Sequence, residues 1–209
     1  MKRIFVLSLA ALILVSCGDN NKPDLDLTIG SSQQNQSEAF LDRLEIQMGK
    51  EPIVEKTGLR FEGVGELEAM DFVAAYFDSA HQYDQYIYLN NLHVDDQYRP
   101  QYDVVTFDKA DQFELLKHIG TKSEKHKLTN QGVTNWFKSR QQEFDFQIIV
   151  CDPDRVEAII LQEPPSYELL ADQIYAFCPD VIDQGHADKA ELISFLKREG
   201  RMWFWWDEH

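Results

Sequence analysis

The sequence predicts an α+β domain in which helices pack on a mixed or antiparallel sheet. Short segments rich in β-branched and aromatic residues alternate with amphipathic segments of helical period. From residue 102 onward the predicted order is strand, helix, helix, strand, tight turn, strand, helix, helix, strand. Each half resembles a split β-α-β unit with a doubled helix, which favours a ferredoxin-like sheet with its helices on one face.

The elements before residue 102 are predicted from the spacing of their apolar residues. A short helix begins at Ser37, a suitable N-cap, and ends at Gly49. Its apolar face comprises Phe40, Leu41, Leu44 and Met48. Residues 53–60 indicate a weak strand, and residues 66–79 indicate a helix. The predicted apolar stripe of that helix is Leu67, Met70, Val73, Ala74 and Phe77.

The remaining elements are predicted by β-branched and aromatic runs and by helical period. The strands are residues 86–89, 102–107, 146–151, 155–161 and 201–206. The helices are residues 110–119, 133–144, 166–177 and 187–199. Thr129 or Asn130 is a plausible cap, and the Asp152-Pro153-Asp154 turn predicts a hairpin. The final strand is a run of aromatic residues, which predicts burial on both faces, with a carbohydrate or peptide groove as the alternative.

The N-terminus carries an export signal. Residues 1–17 read MKRIFVLSLAALILVSC, a basic start followed by an apolar run that is shorter than the roughly 20 residues of a membrane-spanning helix. Leu14-Val15-Ser16-Cys17 resembles a bacterial lipobox, which implies cleavage before Cys17 and acylation of its thiol and new amino group. We therefore expect a lipid-anchored protein of the bacterial envelope. Gly18 after the cysteine favours the outer membrane, facing the periplasm, in a Gram-negative source.

Composition divides the chain into four parts. Residues 1–16 are the signal peptide, and residues 17–37 are the lipidated cysteine with a polar, flexible tether. Residues 38–101 form the N-terminal part of the α+β domain, and residues 102–209 form its core.

The mature chain is strongly acidic. Without its first sixteen residues it carries 36 acidic and 18 basic side chains, a net charge of -18. Such a charge repels phosphates, so nucleic acid is excluded as a general partner. The lipid bilayer is a predicted partner because acylated Cys17 would insert into it. A basic protein is the partner that this charge favours.

The sequence contains none of the common nucleotide-binding or hydrolase motifs. It has no Gly-x-x-x-x-Gly-Lys-Ser/Thr loop, no His-Glu-x-x-His, no Gly-x-Ser-x-Gly and no Cys-x-x-Cys. These absences favour a binding module over an enzyme, and no cofactor is predicted.

The densest polar segment is residues 178–186. Its potential metal ligands are Cys178, Asp180, Asp183 and His186. The simpler interpretation is an interhelical turn in which Pro179 ends one helix, an aspartate caps the next turn and Gly185 adopts a positive φ. Because paired Cys and His ligands are missing, we expect the turn and no metal.

Two further features leave alternatives open. Lysines and histidines cluster around Gly120, namely Lys117, His118, Lys122, Lys125, His126 and Lys127, either as a solvated loop or as a contact for an anionic group. Cys151 and Cys178 could pair in an oxidising periplasm, but the sequence does not fix their separation.

Two C-terminal motifs resemble the bacterial DUF4253 domain family. They are Phe177-Cys178-Pro179-Asp180 followed by Asp183-Gln184-Gly185, and Trp205-Trp206-Asp207 at the end. The upstream Tyr102-Asp103-Val104-Val105, Gly120-Thr121 and Trp136 follow in family-like order, so the resemblance covers about residues 100–207. It implies an α+β domain and carries no assigned reaction. Cys151, His186 and the lipoprotein signal are not family features.

Two hypotheses follow for function. The first is a tethered binding or interaction module of the envelope. The second is an enzyme whose site gathers Cys178, Asp180, Asp183 and Asp207 at one end of the sheet.

Overall fold

One seven-stranded mixed sheet organises the described part of the chain. The computed structural model describes residues 26–206, and it describes side chains from residue 35 onward. The strands are β1 (Ile53–Glu55), β2 (Gly58–Gly65), β3 (Tyr86–Val94), β4 (Pro100–Phe107), β5 (Phe146–Cys151), β6 (Arg155–Ile160) and β7 (Arg201–Trp205). Their order across the sheet is β1-β2-β4-β3-β5-β6-β7. The predicted signal peptide, Cys17 and Asp207 lie outside the described residues.

Helices cover both faces of this sheet, which confirms the α+β class. They are α1 (Asp26–Met48), α2 (Glu66–Gln82), α3 (Gln112–Ile119), α4 (Asn130–Gln141), α5 (Tyr167–Phe177) and α6 (Lys189–Glu199), with a π-helical turn at Val181–Gly185. No helix between residues 26 and 206 is both long enough and apolar enough to cross a membrane.

The side chains of β3 alternate between two apolar cores, one on each face of the sheet. Tyr86 and Tyr88 belong to the core that contains residues of α3 to α6, whereas Ile87 and Leu89 belong to the core that contains residues of α1 and α2. Because successive side chains of a strand point to opposite faces, a strand buried on both faces has a continuous apolar sequence. The four helices after residue 102 thus share one face, as predicted, and α1 and α2 cover the other.

The ferredoxin-like detail is not confirmed. In the described sheet, β3 and β5 form the parallel pair, and they meet at Leu89 and Val150. β6 and β7 are direct antiparallel neighbours although α5 and α6 lie between them in the sequence. A split β-α-β unit instead requires parallel strands with another strand between them.

Three local predictions are corrected. α1 begins at Asp26, so residues 26–37, predicted as tether, are helical and Ser37 is not a helix cap. The later turns of α1 bury Phe40, Leu44 and Met48. Once those turns have nucleated the helix, each added residue gains a backbone hydrogen bond. Residues 53–60 contain a hairpin of β1 and β2 rather than one strand.

The buried face of α2 is also displaced from the predicted stripe. Leu67 is 81% exposed, whereas the buried residues are Ala69, Phe72, Val73 and Ala80. The small and aromatic side chains therefore face the sheet. By contrast, the predicted caps Thr129 and Ser166 are confirmed: each side-chain oxygen accepts a backbone N–H of its helix.

Candidate functional site

An open cleft lies at the end of the sheet where β5 and β7 end and β6 begins. Its volume is about 920 Å³. Its lining residues come from β3, the loop after α3, the β5–β6 turn, the π-helical turn and β7: Asn91, Leu92, Lys122, Glu124, Asp152, Pro153, Asp154, Arg155, Gln184, Trp205 and Trp206. Clefts outside the carboxyl ends of parallel strands, here β3 and β5, are common ligand sites.

The β5–β6 turn brings a carboxylate and a guanidinium into one wall of the cleft. Asp152 Oδ1 accepts the backbone N–H of Asn91 at 2.7 Å, and Arg155 Nη2 donates to Asp152 Oδ2 at 3.0 Å. Burial raises the pKa of Asp152, and the hydrogen bond from Asn91 and the charge of Arg155 oppose that shift. The pair is therefore a fixed, poorly hydrated part of the wall.

The guanidinium of Arg155 is also held by an aromatic ring. Its carbon lies 5.5 Å from the ring centroid of Tyr102, a cation–π contact. The side chain of Arg155 is only 11% exposed, and its hydrogen-bond partner within residues 26–206 is Asp152. Most of its N–H donors therefore have no protein acceptor in the described chain.

A second buried carboxylate, that of Asp103, holds the side chain of Asn91. Asp103 is 2% exposed and accepts hydrogen bonds from Asn91 Nδ2 at 3.1 Å and Arg60 Nη1 at 3.0 Å. The backbone N–H of Gly63 donates to its other oxygen at 3.2 Å. Asp103 thus fixes the side chain of the residue whose backbone binds Asp152.

Asp180 links two segments that contribute to the cleft lining, the start of the π-helical turn and the loop after α3. Its side chain is 5% exposed, and His126 Nε2 lies 2.8 Å from Oδ2. Lys125 Nζ and Gln184 Nε2 lie 3.4 and 3.2 Å from Oδ1. His126 is therefore partly buried against Asp180 and is not solvated as the loop interpretation expected, whereas Lys125 remains exposed.

The other predicted site residues have different surroundings. The Cys178 thiol is buried and donates to the carbonyl oxygen of Trp205 at 3.0 Å. Burial raises the pKa of Cys178 to about 12, so the thiol is protonated at neutral pH. Asp183 is exposed and accepts a hydrogen bond from Tyr175 at 3.4 Å. Within the described residues, the cleft lining contains none of Cys178, Asp180 and Asp183. Asp207 lies outside the described residues.

The described residues offer no side-chain arrangement that supports a metal site. Between residues 26 and 206 no group of three or more His, Cys, Asp or Glu side chains is arranged to hold a metal ion. His186 packs against Phe195, with ring centroids 5.1 Å apart, and burial lowers its pKa.

Cys151 and Cys178 are both free thiols. Cys151 is buried, with its Sγ 3.6 Å from Thr121 Oγ1, and burial raises its pKa to about 12. The structure contains no disulfide between Cys151 and Cys178. The disulfide that the sequence left open is therefore absent from this structure, and burial leaves neither thiol activated.

The final strand is not buried on both faces as predicted. Met202, Phe204 and Trp206 point into the core, whereas Trp203 is 39% exposed and Trp205 is half-buried. The physical reason is that β7 is the edge strand of the sheet, beyond the cover of α1 and α2. The rings of Trp203 and Trp205 lie side by side on the open face, with centroids 4.7 Å apart.

Gly185 also differs from its predicted role. Its φ is not positive, so it does not serve as a left-handed turn residue. Glycine is required there because a Cβ would collide with the indole of Trp205. This contact holds the indole against the π-helical turn at the cleft wall.

Sequence reasoning missed the polar residues that build the cleft. Asn91 lies just beyond the predicted strand 86–89 and Arg155 begins another predicted strand, and nothing in the sequence indicates that they meet. A signal was nevertheless present, since Asp103 and Glu157 interrupt apolar strands and both are buried. A charged residue inside a buried strand usually has a specific partner.

Part of this chain is similar to a known protein family. One family model, described as a domain of unknown function (DUF4253), matches residues 103–207. Neither the search of curated proteins nor the search of solved structures returned a match. The matched range contains every lining residue of the cleft except Asn91 and Leu92.

Proposed function

The chain belongs to the DUF4253 family, and we propose that it is a lipid-anchored binding module of the bacterial cell envelope that takes a small polar ligand in the cleft. One observation carries this proposal: the buried Asp152–Arg155 pair lies in the wall of an open cleft. A preformed cleft with a few fixed polar groups is the usual architecture of a ligand site.

The envelope location is supported by the sequence of residues 1–17. The lipobox-like Leu14-Val15-Ser16-Cys17 would place acyl chains on Cys17 and hold the domain at a bilayer. A Cys17→Ser variant should be released from the membrane fraction and lose labelling by radioactive fatty acid. Continued anchoring and labelling of the variant would contradict this part of the proposal.

A basic protein is the macromolecular partner that the surface charge favours. Exposed carboxylates on α1 and α2 include Asp42, Glu45, Glu68 and Asp71. Opposite charge steers association and is screened by salt. Binding of polylysine should therefore weaken with ionic strength and in a Glu68→Lys/Asp71→Lys variant, while Lys189→Gln should leave it unchanged. Equal binding by all three proteins would contradict this partner.

Ligand binding in the cleft can be tested without knowing the ligand. A ligand that binds only the native state raises the melting temperature. A low-mass fraction of envelope extract should raise the melting temperature of the protein and do so less for Arg155→Lys, which loses the planar guanidinium. Lys189→Gln, in an exposed ion pair, is the matched control. Equal shifts in the protein and the Arg155→Lys variant would contradict a site at this cleft.

The alternative function is enzymatic, and one contact favours it. The 2.8 Å contact between Asp180 and His126 has the form in which a carboxylate orients an imidazole for proton transfer. The alternative predicts that a bound compound is recovered chemically changed and that His126→Gln abolishes the change. Binding alone predicts recovery of the compound with its mass unchanged.

A further inference from the structure

We propose that the cleft binds a carbohydrate, with one sugar ring packed on the indole of Trp205 and its hydroxyl groups bonded by the polar wall. This inference rests on the proposed function and specifies the class of its ligand. It is carried by an aromatic surface, by the balance of charges in the cleft and by the guanidinium of Arg155, whose one described hydrogen-bond partner is Asp152.

The aromatic surface lies at the edge of the sheet. Trp203 and Trp205 project from the open face of β7, and Trp205 also lines the cleft. Large aromatic rings left half-exposed side by side are unusual unless they contact a partner. The face of a sugar ring carries C–H groups, which pack on the electron-rich face of an indole.

The polar wall suits a neutral ligand with many hydroxyl groups. The lining contains two cations and three carboxylates, Lys122, Arg155, Glu124, Asp152 and Asp154. Asn91 and Gln184 add two amides. Because Arg155 is already paired with Asp152, an anionic ligand would meet a nearby carboxylate. Hydroxyl groups both donate and accept, so they match carboxylates, amides and a guanidinium together.

The guanidinium of Arg155 adds donors to the wall. Within the described residues it donates a hydrogen bond to Asp152 alone, through Nη2. A guanidinium can only donate, so the complementary ligand supplies oxygen acceptors. Hydroxyl and ring oxygens of a sugar do this without adding charge.

The test uses three neutral trisaccharides, chitotriose, cellotriose and maltotriose, titrated into the purified protein. Tryptophan fluorescence and titration calorimetry should both show saturable binding of at least one. Trp205→Ala should weaken that binding at least about tenfold, the effect of losing one aromatic contact. Trp203→Ala should weaken it less. Tyr98→Asn is the matched control, since Tyr98 is 87% exposed, lies outside the cleft lining and has a positive φ that asparagine tolerates.

Two further variants keep the test decisive if Trp205→Ala does not fold. Gln184→Ala and Arg155→Lys alter the polar wall, and both should weaken binding, with folding checked by circular dichroism. Glutarate and inorganic phosphate are the anionic probes. Saturable binding of these anions without any trisaccharide would overturn the carbohydrate assignment, and so would trisaccharide binding that is unchanged in all the cleft variants.

The outcomes also separate this inference from the proposed function. If no trisaccharide binds but the envelope extract shifts the melting temperature in an Arg155-dependent way, the carbohydrate assignment fails and the binding module stands. If a trisaccharide binds but is recovered cleaved, the ligand class stands and the non-enzymatic function fails.

Discussion

Gly185 and Trp205 are in direct contact, and a Cβ at residue 185 would lie 2.2 Å from Cη2 of the indole. The Cys178 thiol donates a hydrogen bond to the backbone carbonyl oxygen of Trp205. The two motifs that mark the C-terminal part of the sequence therefore meet in space. The π-helical turn holds the end of β7, and that strand end forms one side of the cleft.

Gly185→Ala should destabilise the protein by about 1–3 kcal/mol, because the added methyl group must displace a large ring in a packed region. Urea denaturation followed by circular dichroism measures the change. Gly65→Ala is the matched control, since no atom lies within 4 Å of its added Cβ and its φ is not positive. A Gly185→Ala variant as stable as the Gly65→Ala variant would show that the indole moves away at little cost.

Asp180→Ala should lower the free energy of unfolding by about 2 kcal/mol, because it removes a buried carboxylate that accepts hydrogen bonds. His126 and Gln184 would lose their partner, while the half-exposed Lys125 contributes little. Asp183→Ala, at an exposed position in the same segment, should change stability by less than about 0.5 kcal/mol. Chemical denaturation of both variants tests the difference, and similar losses would mean that Asp180 is not a structural link.

The sequence predicted local structure well because local structure depends on neighbouring residues. The β5–β6 hairpin follows from the Asp152-Pro153-Asp154 turn, and the start of α5 follows from Ser166. The beginning of α1 was missed because its first turns are polar. The exposed face of β7 was missed because an aromatic run does not reveal that a strand lies at the edge.

The site was harder to predict because it joins distant segments. Asp180 and His126 are separated by 54 residues, and Asn91 and Asp152 by 61. Hydrophobic period indicates which face of an element is buried, but it does not indicate which element covers that face. Asp180 could therefore be recognised as part of a motif, whereas its partner in the basic cluster could not.

Cys151 and Cys178 should resist alkylation in the native protein. With a pKa of about 12 for each thiol, the thiolate fraction at pH 8 is only about one in ten thousand. Iodoacetamide labelling without reductant, followed by mass spectrometry, should be slow in buffer and complete in guanidinium chloride. Rapid native labelling would contradict the burial. Absence of labelling in guanidinium chloride would reveal a disulfide.

Glu157→Gln should change how stability depends on pH. Glu157 is 5% exposed, and burial raises its pKa above the ordinary 4.5, although Arg201 and Arg155 oppose that shift. The folded state therefore binds this proton more tightly than the unfolded state, so the contribution to stability is present below pH 4.5 and is lost as pH rises through the raised pKa. Unfolding free energies from urea titrations at pH 4 to 7 should thus fall more steeply with pH in the protein than in Glu157→Gln.

Glu168→Gln is the control. Hydrogen bonds from its own backbone, from Ser166 and from Lys197 lower the pKa of the exposed Glu168 carboxylate. Removing that carboxylate therefore shifts the slope of stability against pH in the opposite direction. Parallel pH curves for the protein and Glu157→Gln would show that the buried carboxylate ionises as readily as in the unfolded chain.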